Sequence, residues 1–309
     1  MILAVSGFLF WIFLRDAFIK KNGRLARWPI FSALALFAFA MIFLTVIYGS
    51  FIEPKIIIIK HASIKLTSSQ EPLKIALISD LHAGPYKKDD FWKRVVKNIE
   101  KQSPDVVILD GDLVNGETDE AKYLAPFREL AQKTMIFAVL GNHDSGGNET
   151  RKDFYRLPEV AKTIAEYLRS IGINILENTG ARLKIKSKEI HLGGVKEYNS
   201  GEANVAESFR GAEANFLKIL LAHNPDIIFD AMREKIQLVL AAHTHAGQIR
   251  LPFYGSIHPP FIELGRYYFD KTGWFDFGNT KLYITSGIGE TGARSRLFTP
   301  PEIVILDIY

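Results

Sequence analysis

The sequence predicts an α/β fold in which helices cover a sheet layer, preceded by an apolar N-terminal segment. Two observations support this prediction. Short β-rich apolar runs alternate with amphipathic helical patterns after Pro54, and two almost uncharged apolar runs come before it. The chain has 309 residues, 48% of them hydrophobic, which is enough to bury one substantial core.

The apolar N-terminus predicts a membrane anchor. Residues 2–14 are almost wholly apolar, and residues 28–48 carry no charge. At about 1.5 Å per residue, the second run is long enough to cross a bilayer core of about 30 Å, whereas the first falls short. A cleaved signal peptide is the alternative, but its apolar region is normally about 7–15 residues long. We therefore predict an anchor over residues 1–53, with one spanning helix or a hairpin, and a folded domain over residues 54–309.

The charges around the anchor bear on its orientation. Basic residues separate the two apolar runs, at Arg15, Lys20, Lys21, Arg24 and Arg27. Such a segment tends to stay in the cytoplasm, which favours the outer face for the folded domain. Lysines also follow the second run and weaken this preference, at Lys55, Lys60 and Lys65.

The remaining chain divides into predicted strands, helices and loops. Strands are predicted at 56–59, 74–79, 106–109, 135–139, 190–195, 218–222, 237–241, 282–285 and 303–308. Helices are predicted from Asp89 or Asp90 to about Lys101, and over 119–133, 158–170 and 225–234. The polar segments 145–157 and 196–211 are predicted to be lids over a site or plain surface loops.

Side chains able to bind metal follow five of the predicted strands, at the point where each strand ends. They are Asp80 and His82, Asp112, Asn142 with His143 and Asp144, His223, and His243 with His245. Open sheets place functional loops at such edges, so these side chains are expected to converge. A lone histidine or aspartate after a strand is usually a cap or a surface residue. The grouping is what points to a site, because five of the eight histidines fall in it.

The residue types indicate a site for two divalent ions. Imidazole and carboxylate ligands without any cysteine suit Mn²⁺ first, and also Fe²⁺ or Zn²⁺. Six or seven ligands exceed the need of one catalytic ion, whereas two ions about 3.5–4 Å apart use them all. The net charge of +4 suits an anionic substrate or membrane surface and is too small to indicate nucleic acid. Neither a Walker glycine loop nor a Gly-x-Ser-x-Gly elbow is present.

These five blocks, in this order, resemble the calcineurin-like metallophosphoesterase family over residues 74–309. One departure is Ala242, where the last block more often begins with glycine. The resemblance implies a two-sheet β-sandwich flanked by helices. It also implies hydrolysis of a phosphoester or pyrophosphate bond by water activated at two divalent ions.

The resemblance also implies a role for each residue. One ion would be held by Asp80, His82 and His245, and the other by Asn142, His223 and His243. Asp112 would bridge the two ions. His143 would stabilise the substrate phosphate or protonate the leaving oxygen, and Asp144 would orient His143.

The anchor makes the chain resemble bacterial membrane-attached members, including UDP-2,3-diacylglucosamine pyrophosphatases of lipid A biosynthesis and other anchored phosphodiesterases. This implies the bacterial inner membrane and a lipid-linked, phosphorylated substrate. Lipid A precursors are made at the cytoplasmic face, which conflicts with the charge bias. Aromatic residues within 251–270, with Arg250 and Arg266, suit an acyl chain beside a phosphate, or fill the core or the lower rim of the sheet. Arg294 and Arg296 are expected either to bind an anionic substrate or to lie on the surface.

Two other functions compete with a membrane-bound phosphoesterase. One is a metal-binding scaffold without turnover, which would have no need of His143. The other is a nuclease, which would need a more basic groove than the charge suggests. The sequence gives no indication of protein partners.

Overall fold

A computed structural model describes residues 2–19, 28–145 and 158–309. The N-terminal part holds two helices, α1 (Ile2–Leu14) and α2 (Pro29–Ile47), and the rings of Phe13 and Phe39 lie 5.4 Å apart between them. The segment Ile30–Lys55 is long and apolar enough to cross a membrane, with a mean hydropathy of 2.7. It is therefore a candidate anchor. Most of the basic segment used to predict orientation lies outside the described residues.

Two six-stranded sheets form the body of the molecule. The strands are β1 Ile58–Ile64, β2 Leu73–Ile78, β3 Val106–Asp110, β4 Met135–Val139, β5 Ile173–Ile175, β6 Thr179–Ile185, β7 Lys188–Gly194, β8 Leu217–Leu221, β9 Leu238–Ala241, β10 Arg250–Leu251, β11 Gly255–Ser256, β12 Gly273–Phe277, β13 Thr280–Ile284 and β14 Glu302–Ile308. The first sheet has the order β1-β14-β2-β3-β4-β5 and the second the order β12-β13-β9-β8-β7-β6, while β10 and β11 form a small hairpin. The predicted α/β class, with two sheets flanked by helices, is confirmed.

The inner strands of each sheet run parallel. Strands β2 to β5 are parallel neighbours in the first sheet, and β7, β8, β9 and β13 are parallel neighbours in the second. Parallel strands end at the same edge, so the loops after them are brought together.

Alternating side chains of β2 show how the layers are packed. Ile75 and Leu77 face the second sheet, in a core cluster that includes Ile219 of β8. Ala76 and Ile78 face the opposite way, into the cluster under the helices. Because successive strand residues point to opposite faces, one apolar run serves both layers.

The helices confirm the predicted positions with three corrections. Helix α3 spans Asp89–Glu100 and α5 spans Pro158–Ser170, as predicted, although Lys88 rather than an aspartate is the N-cap of α3. The predicted helix 119–133 is broken into a 3₁₀ turn (Thr118–Leu124) and α4 (Phe127–Ala131), because Pro126 between them lacks an N–H. The predicted helix 225–234 begins as a 3₁₀ turn before α7 (Ile228–Arg233). The short helices α6 and α8 span Val205–Ser208 and Arg266–Phe269.

Other departures lie in short or edge elements. The prediction at 56–59 captures only the start of β1, which pairs in parallel with β14 along its whole length. Strands β5, β6 and β12 were not predicted, and neither was the β10-β11 hairpin. In the predicted loop 196–211, Tyr198–Ser200 forms a 3₁₀ turn that precedes α6. Of the predicted loop 145–157, residues 146–157 lie outside the described residues.

Candidate metal centre

The predicted metal-binding side chains lie in the loops that follow β2, β3, β4, β8 and β9. The loops are tied to one another through the backbone: Asp80 N donates to Gly111 O at 3.0 Å, and His82 N donates to Asp112 O at 2.9 Å. The second sheet joins them through His223, which follows β8 and whose Nδ1 lies 2.8 Å from the carbonyl oxygen of Asp110 at the end of β3, so the ends of both sheets contribute to one site.

Several of these residues have unusual backbone conformations. Positive φ angles occur at Asp80 (48°), His82 (42°), Asp112 (50°), His243 (69°) and His245 (50°). Aspartate and histidine occupy the left-handed region more readily than most residues, but at a cost. Such strain clusters where the surrounding structure holds a functional geometry. Ala242 is outside the left-handed region, so its methyl group in place of glycine's hydrogen does not strain the turn.

The acidic and imidazole side chains form two groups that share one residue. The first group is Asp80, His82, Asp112 and His245, and the second is Asp112, His223 and His243. Within each group the ligand atoms lie within 4.8 Å of one another, and all the residues are buried. Asp112 belongs to both groups, which is the arrangement that a bridging carboxylate requires.

Distances in the first group fit a shared ion. The Nε2 atoms of His82 and His245 lie 3.2 Å apart, and Nε2 of His245 lies 3.3 Å from Oδ1 of Asp80. Two nitrogens bound to one ion at about 2.1 Å each lie roughly 3 Å apart, so the spacing is that of a ligand pair. Neither carboxylate oxygen of Asp80 has a hydrogen-bond partner, although both are buried. A cation would satisfy them.

The second group has a defined histidine orientation. Nδ1 of His223 lies 2.8 Å from the carbonyl oxygen of Asp110. A carbonyl only accepts, so Nδ1 carries a proton and Nε2 is the nitrogen left for an ion. That Nε2 lies 3.1 Å from Oδ2 of Asp112 and 3.2 Å from Nδ1 of His243. Burial alone would lower the pKa of His223, but the Asp112 carboxylate outweighs it and raises that pKa well above its usual value, so an ion at Nε2 would replace a proton.

Burial sets the protonation of these groups. It lowers the pKa of His243 to about 3 and holds the pKa of His82 and His245 well below the usual value, so the three imidazoles stay neutral and able to bind metal. Burial raises the pKa of Asp80 to about 7. Burial alone would also raise the pKa of Asp112, but the His223 and His143 imidazoles outweigh it and hold that pKa well below its usual range. The donor set thus fits divalent cations.

The segment after β4 supplies the remaining predicted residues. Asn142 and His143 are buried beside Asp112, since His143 N donates to Oδ1 of Asp112 at 2.9 Å. The His143 ring meets the His82 ring edge-on at 4.7 Å, and its Nε2 lies 3.3 Å from Oγ1 of Thr291. His143 is thus held at the border of the metal centre.

Asp144 connects two of the loops. Its Oδ1 accepts from Leu113 N and Val114 N, and its Oδ2 accepts from Gly141 N at 2.8 Å. These bonds join the loop carrying Asp112 to the loop carrying His143. Any effect of Asp144 on His143 therefore acts through the backbone that it fixes.

Sequence reasoning did not predict the place of Arg296, which is fully buried. The alternative that it lies on the surface is wrong. It donates to the carbonyl oxygens of Ser286, Gly289 and Thr299, and Nη2 lies 3.4 Å from Nδ1 of His245. Arg296 therefore supports a predicted ligand from behind, a role that no sequence spacing indicated.

Two glycines are also essential to the geometry. Gly287 has φ +70°, and a Cβ there would lie 2.5 Å from Oδ2 of Asp80. Gly111 has φ +82°, and a Cβ there would lie 2.5 Å from Nδ1 of His223. Only a residue without a side chain lets the chain pass this close to the ligands.

The aromatic segment 251–270 lies mostly on the surface. Phe253, Tyr254 and Tyr267 are exposed and Phe261 is half exposed, so these four rings do not fill the core, whereas Phe269 is buried and Tyr268 packs against a core cluster. Phe261 meets the His243 ring edge-on at 5.0 Å.

The two arginines of this region bind protein carbonyls. Arg250 donates to Ala246 O at 2.9 Å, and Arg266 donates to Ser256 O at 3.2 Å. They hold the hairpin in place, and these contacts indicate a structural role.

Known proteins share this sequence pattern. Residues 73–247 match the family described as Calcineurin-like phosphoesterase. The chain is 28% identical over 268 residues to the metallophosphoesterase YkuE of Bacillus subtilis, covering 84% of this chain and 88% of that protein. It is 28% identical over 253 residues to the phosphodiesterase YaeI of Escherichia coli, covering 81% and 87% respectively.

A third relative is described as a transmembrane protein. The chain is 28% identical over 264 residues to a transmembrane protein with metallophosphoesterase domain from Danio rerio. The match covers 81% of this chain and 56% of that protein, so the chain spans little more than half of the relative's length.

Proposed function

The chain belongs to the calcineurin-like phosphoesterase family, whose members are hydrolases acting on phosphoester bonds, and from this premise we propose that it is a two-metal phosphodiesterase acting at a membrane. The observation that carries the proposal is the sharing of Asp112 between two buried ligand groups. A single catalytic ion needs about three protein ligands and an open position, so one ion leaves half of this set unused.

We propose that Asp80, His82 and His245 hold one ion, that Asn142, His223 and His243 hold the other, and that Asp112 bridges them. Mn²⁺ is the ion we expect first, with Fe²⁺ or Zn²⁺ as alternatives, because the ligands are imidazole nitrogen and oxygen. When bound, two such ions neutralise phosphate charge and activate a water molecule for attack on phosphorus.

The chain's own residues would complete the reaction. The attacking water would lose a proton to bulk solvent as its oxygen bonds to phosphorus, and the ester bond to the leaving group would break. The protonated His143 imidazole gives its proton to the leaving oxygen, an assistance typically worth roughly 10²- to 10⁴-fold. Thr291, 3.3 Å from Nε2 of His143, would orient that ring. Asp144 would hold the His143 loop against the Asp112 loop through its three backbone hydrogen bonds.

The apolar segment Ile30–Lys55 supports a membrane location. We propose that residues 1–53 anchor the chain in a bacterial inner membrane and that residues 54–309 form the catalytic domain. A lipid-linked phosphoester or pyrophosphate, such as UDP-2,3-diacylglucosamine of lipid A biosynthesis, is the substrate class that such an anchor would bring to the site. The basic residues between the apolar runs favour the outer face, and a catalytic domain there would exclude UDP-2,3-diacylglucosamine, which is made at the cytoplasmic face, in favour of another lipid-linked phosphoester.

The test is hydrolysis of bis(p-nitrophenyl) phosphate by the full chain in detergent with Mn²⁺. We expect turnover that chelation abolishes and that Asp112→Ala lowers by at least about 100-fold, because a bridging ligand acts on both ions. Asp276→Ala is the matched control, since that carboxylate lies exposed near the end of β12 beside Lys281. Control-like turnover in Asp112→Ala would overturn the proposal, and tight Mn²⁺ binding without turnover would favour a metal-binding scaffold.

A further inference from the structure

An apolar groove of about 670 Å³ lies where the candidate membrane helix meets the folded domain. One wall comes from the end of the apolar segment, at Val46 and Phe51, and the other from Ile249, Ile257 and Leu297. Its walls thus combine the candidate anchor with loops that lead to the metal centre.

The two walls are fixed to each other. Arg296 N donates to Gly49 O at 2.9 Å, and the buried carboxylate of Glu53 accepts from Phe298 N at 3.0 Å and from Thr299 N at 2.6 Å. A Cβ on Gly49 would lie 3.1 Å from the carbonyl oxygen of Arg296, so the backbones are in close contact. The groove is therefore part of a packed junction.

The groove lies next to the metal centre. A second cavity is lined by His82, which we propose as a metal ligand, and by Tyr86 and Arg294. Tyr86 and Arg294 also line the groove. The two cavities are therefore neighbours that share these two side chains, and Arg294 faces both of them.

Arg294 is a cation available to a ligand. It is exposed, and its guanidinium lies 4.3 Å from the centroid of the Tyr86 ring. Within the described part of the chain, no carboxylate lies within 4.0 Å of it, in contrast to Lys87 nearby, which pairs with Glu290 at 2.9 Å. An unpaired guanidinium shared by an apolar groove and the cavity beside His82 complements an anionic headgroup with an apolar tail.

We propose that this groove binds the alkyl chain of an amphiphilic phosphoester, with Arg294 contacting the anionic headgroup and the scissile phosphate at the metal centre. This inference rests on the proposed function and names the part of the molecule that selects a lipid-linked substrate. Because the groove opens beside the apolar segment, the alkyl chain enters it from the bilayer.

The experiment compares two diesters with the same leaving group, hexadecyl p-nitrophenyl phosphate and methyl p-nitrophenyl phosphate. The full-length protein in lipid nanodiscs is assayed with Mn²⁺ as wild type and as Ile257→Glu. Met232→Glu on α7 is the matched control, because Met232 is 41% exposed and Ile257 is 45% exposed. We expect Ile257→Glu to lower kcat/KM for the hexadecyl ester by about tenfold or more. A carboxylate in the groove should cancel the favourable transfer free energy of at least two methylene groups of the alkyl chain.

The methyl ester should be cleaved by Ile257→Glu within about twofold of wild type, because it does not reach the groove. Equal losses for both esters, or a wild type that does not prefer the longer ester, would overturn the inference while leaving the proposed function intact.

Binding is tested without turnover by a hexadecylphosphonate carrying a diazirine at the chain end. We expect labelled peptides from the folded domain to contain Ile257 or Leu297, and Arg294→Gln to reduce that label. Labelling elsewhere in the folded domain would contradict the inference. Cross-links between chains from a photoreactive residue at 257 would also contradict it, by showing a second copy in the groove. Labelling without hydrolysis would defeat the proposed function alone.

Discussion

Replacing Arg296 by alanine should destabilise the folded domain strongly. The buried guanidinium donates to Gly289 O at 2.7 Å, Ser286 O at 2.9 Å and Thr299 O at 3.0 Å. Each buried carbonyl left without its donor costs about 1–3 kcal/mol, and partial rehydration of the gap reduces the sum, so we expect a loss of roughly 3–5 kcal/mol. At about 2–4 °C per kcal/mol for a domain of this size, Tm should fall by roughly 6–20 °C.

The assay is thermal unfolding followed by tryptophan fluorescence in chelator, so that metal binding does not contribute to Tm. Titration calorimetry with Mn²⁺ then measures affinity. We expect about 10- to 100-fold weaker binding, because His245 loses the group behind its ring. Arg210→Ala is the control, since that exposed arginine pairs, among the residues that the structure describes, with Glu207 three residues away. A Tm drop below about 2 °C with unchanged Mn²⁺ affinity would refute this role for Arg296.

Two further substitutions test the site and the pH dependence of stability. Gly287→Ala places a methyl group against Oδ2 of Asp80 and should weaken Mn²⁺ binding and activity by at least about tenfold. Gly278→Ala shares a positive φ but meets nothing within 4 Å, so it measures the backbone strain alone. Burial lowers the pKa of His191 below its usual 6.5, so the unfolded chain binds a proton that the native chain does not as pH falls below 6.5. The free energy of unfolding should therefore decrease as pH falls below 6.5. Between about pH 7.5 and pH 5.5, the Tm of the His191→Gln protein should decrease less than the Tm of the wild type.

Each of these expectations has an outcome that contradicts it. Equal activity and metal affinity for Gly287→Ala and Gly278→Ala would show that Asp80 tolerates the clash. Parallel Tm curves for wild type and His191→Gln below about pH 6.5 would show that this histidine is not desolvated by the native fold.

The buried strands were predictable from the sequence because each is a compact apolar run, as at β3 and β4. Edge strands were harder to predict from the sequence. Strand β6 (Thr179–Ile185) alternates apolar residues with Arg182 and Lys184, and three-residue β5 is too short to show a period. Their pairing depends on neighbours distant in sequence, which local patterns do not report.

The site was predictable to the extent that residue type and position after a strand carry the chemistry. Aspartates and histidines at five strand ends indicated a convergence, and the structure brings six of them into two groups. No local sequence pattern indicated that Arg296 is buried, since its burial depends on the carbonyl oxygens of Ser286, Gly289 and Thr299. An arginine near the end of a chain is ordinarily exposed, and only the folded loop gives it acceptors.

Anomalous diffraction at the manganese edge, from crystals of the full chain grown with Mn²⁺, tests the two-ion site most directly. We predict two peaks flanking the Asp112 carboxylate, one beside Asp80 and one beside His223. A single peak, or peaks away from Asp112, would contradict a metal pair bridged by this aspartate.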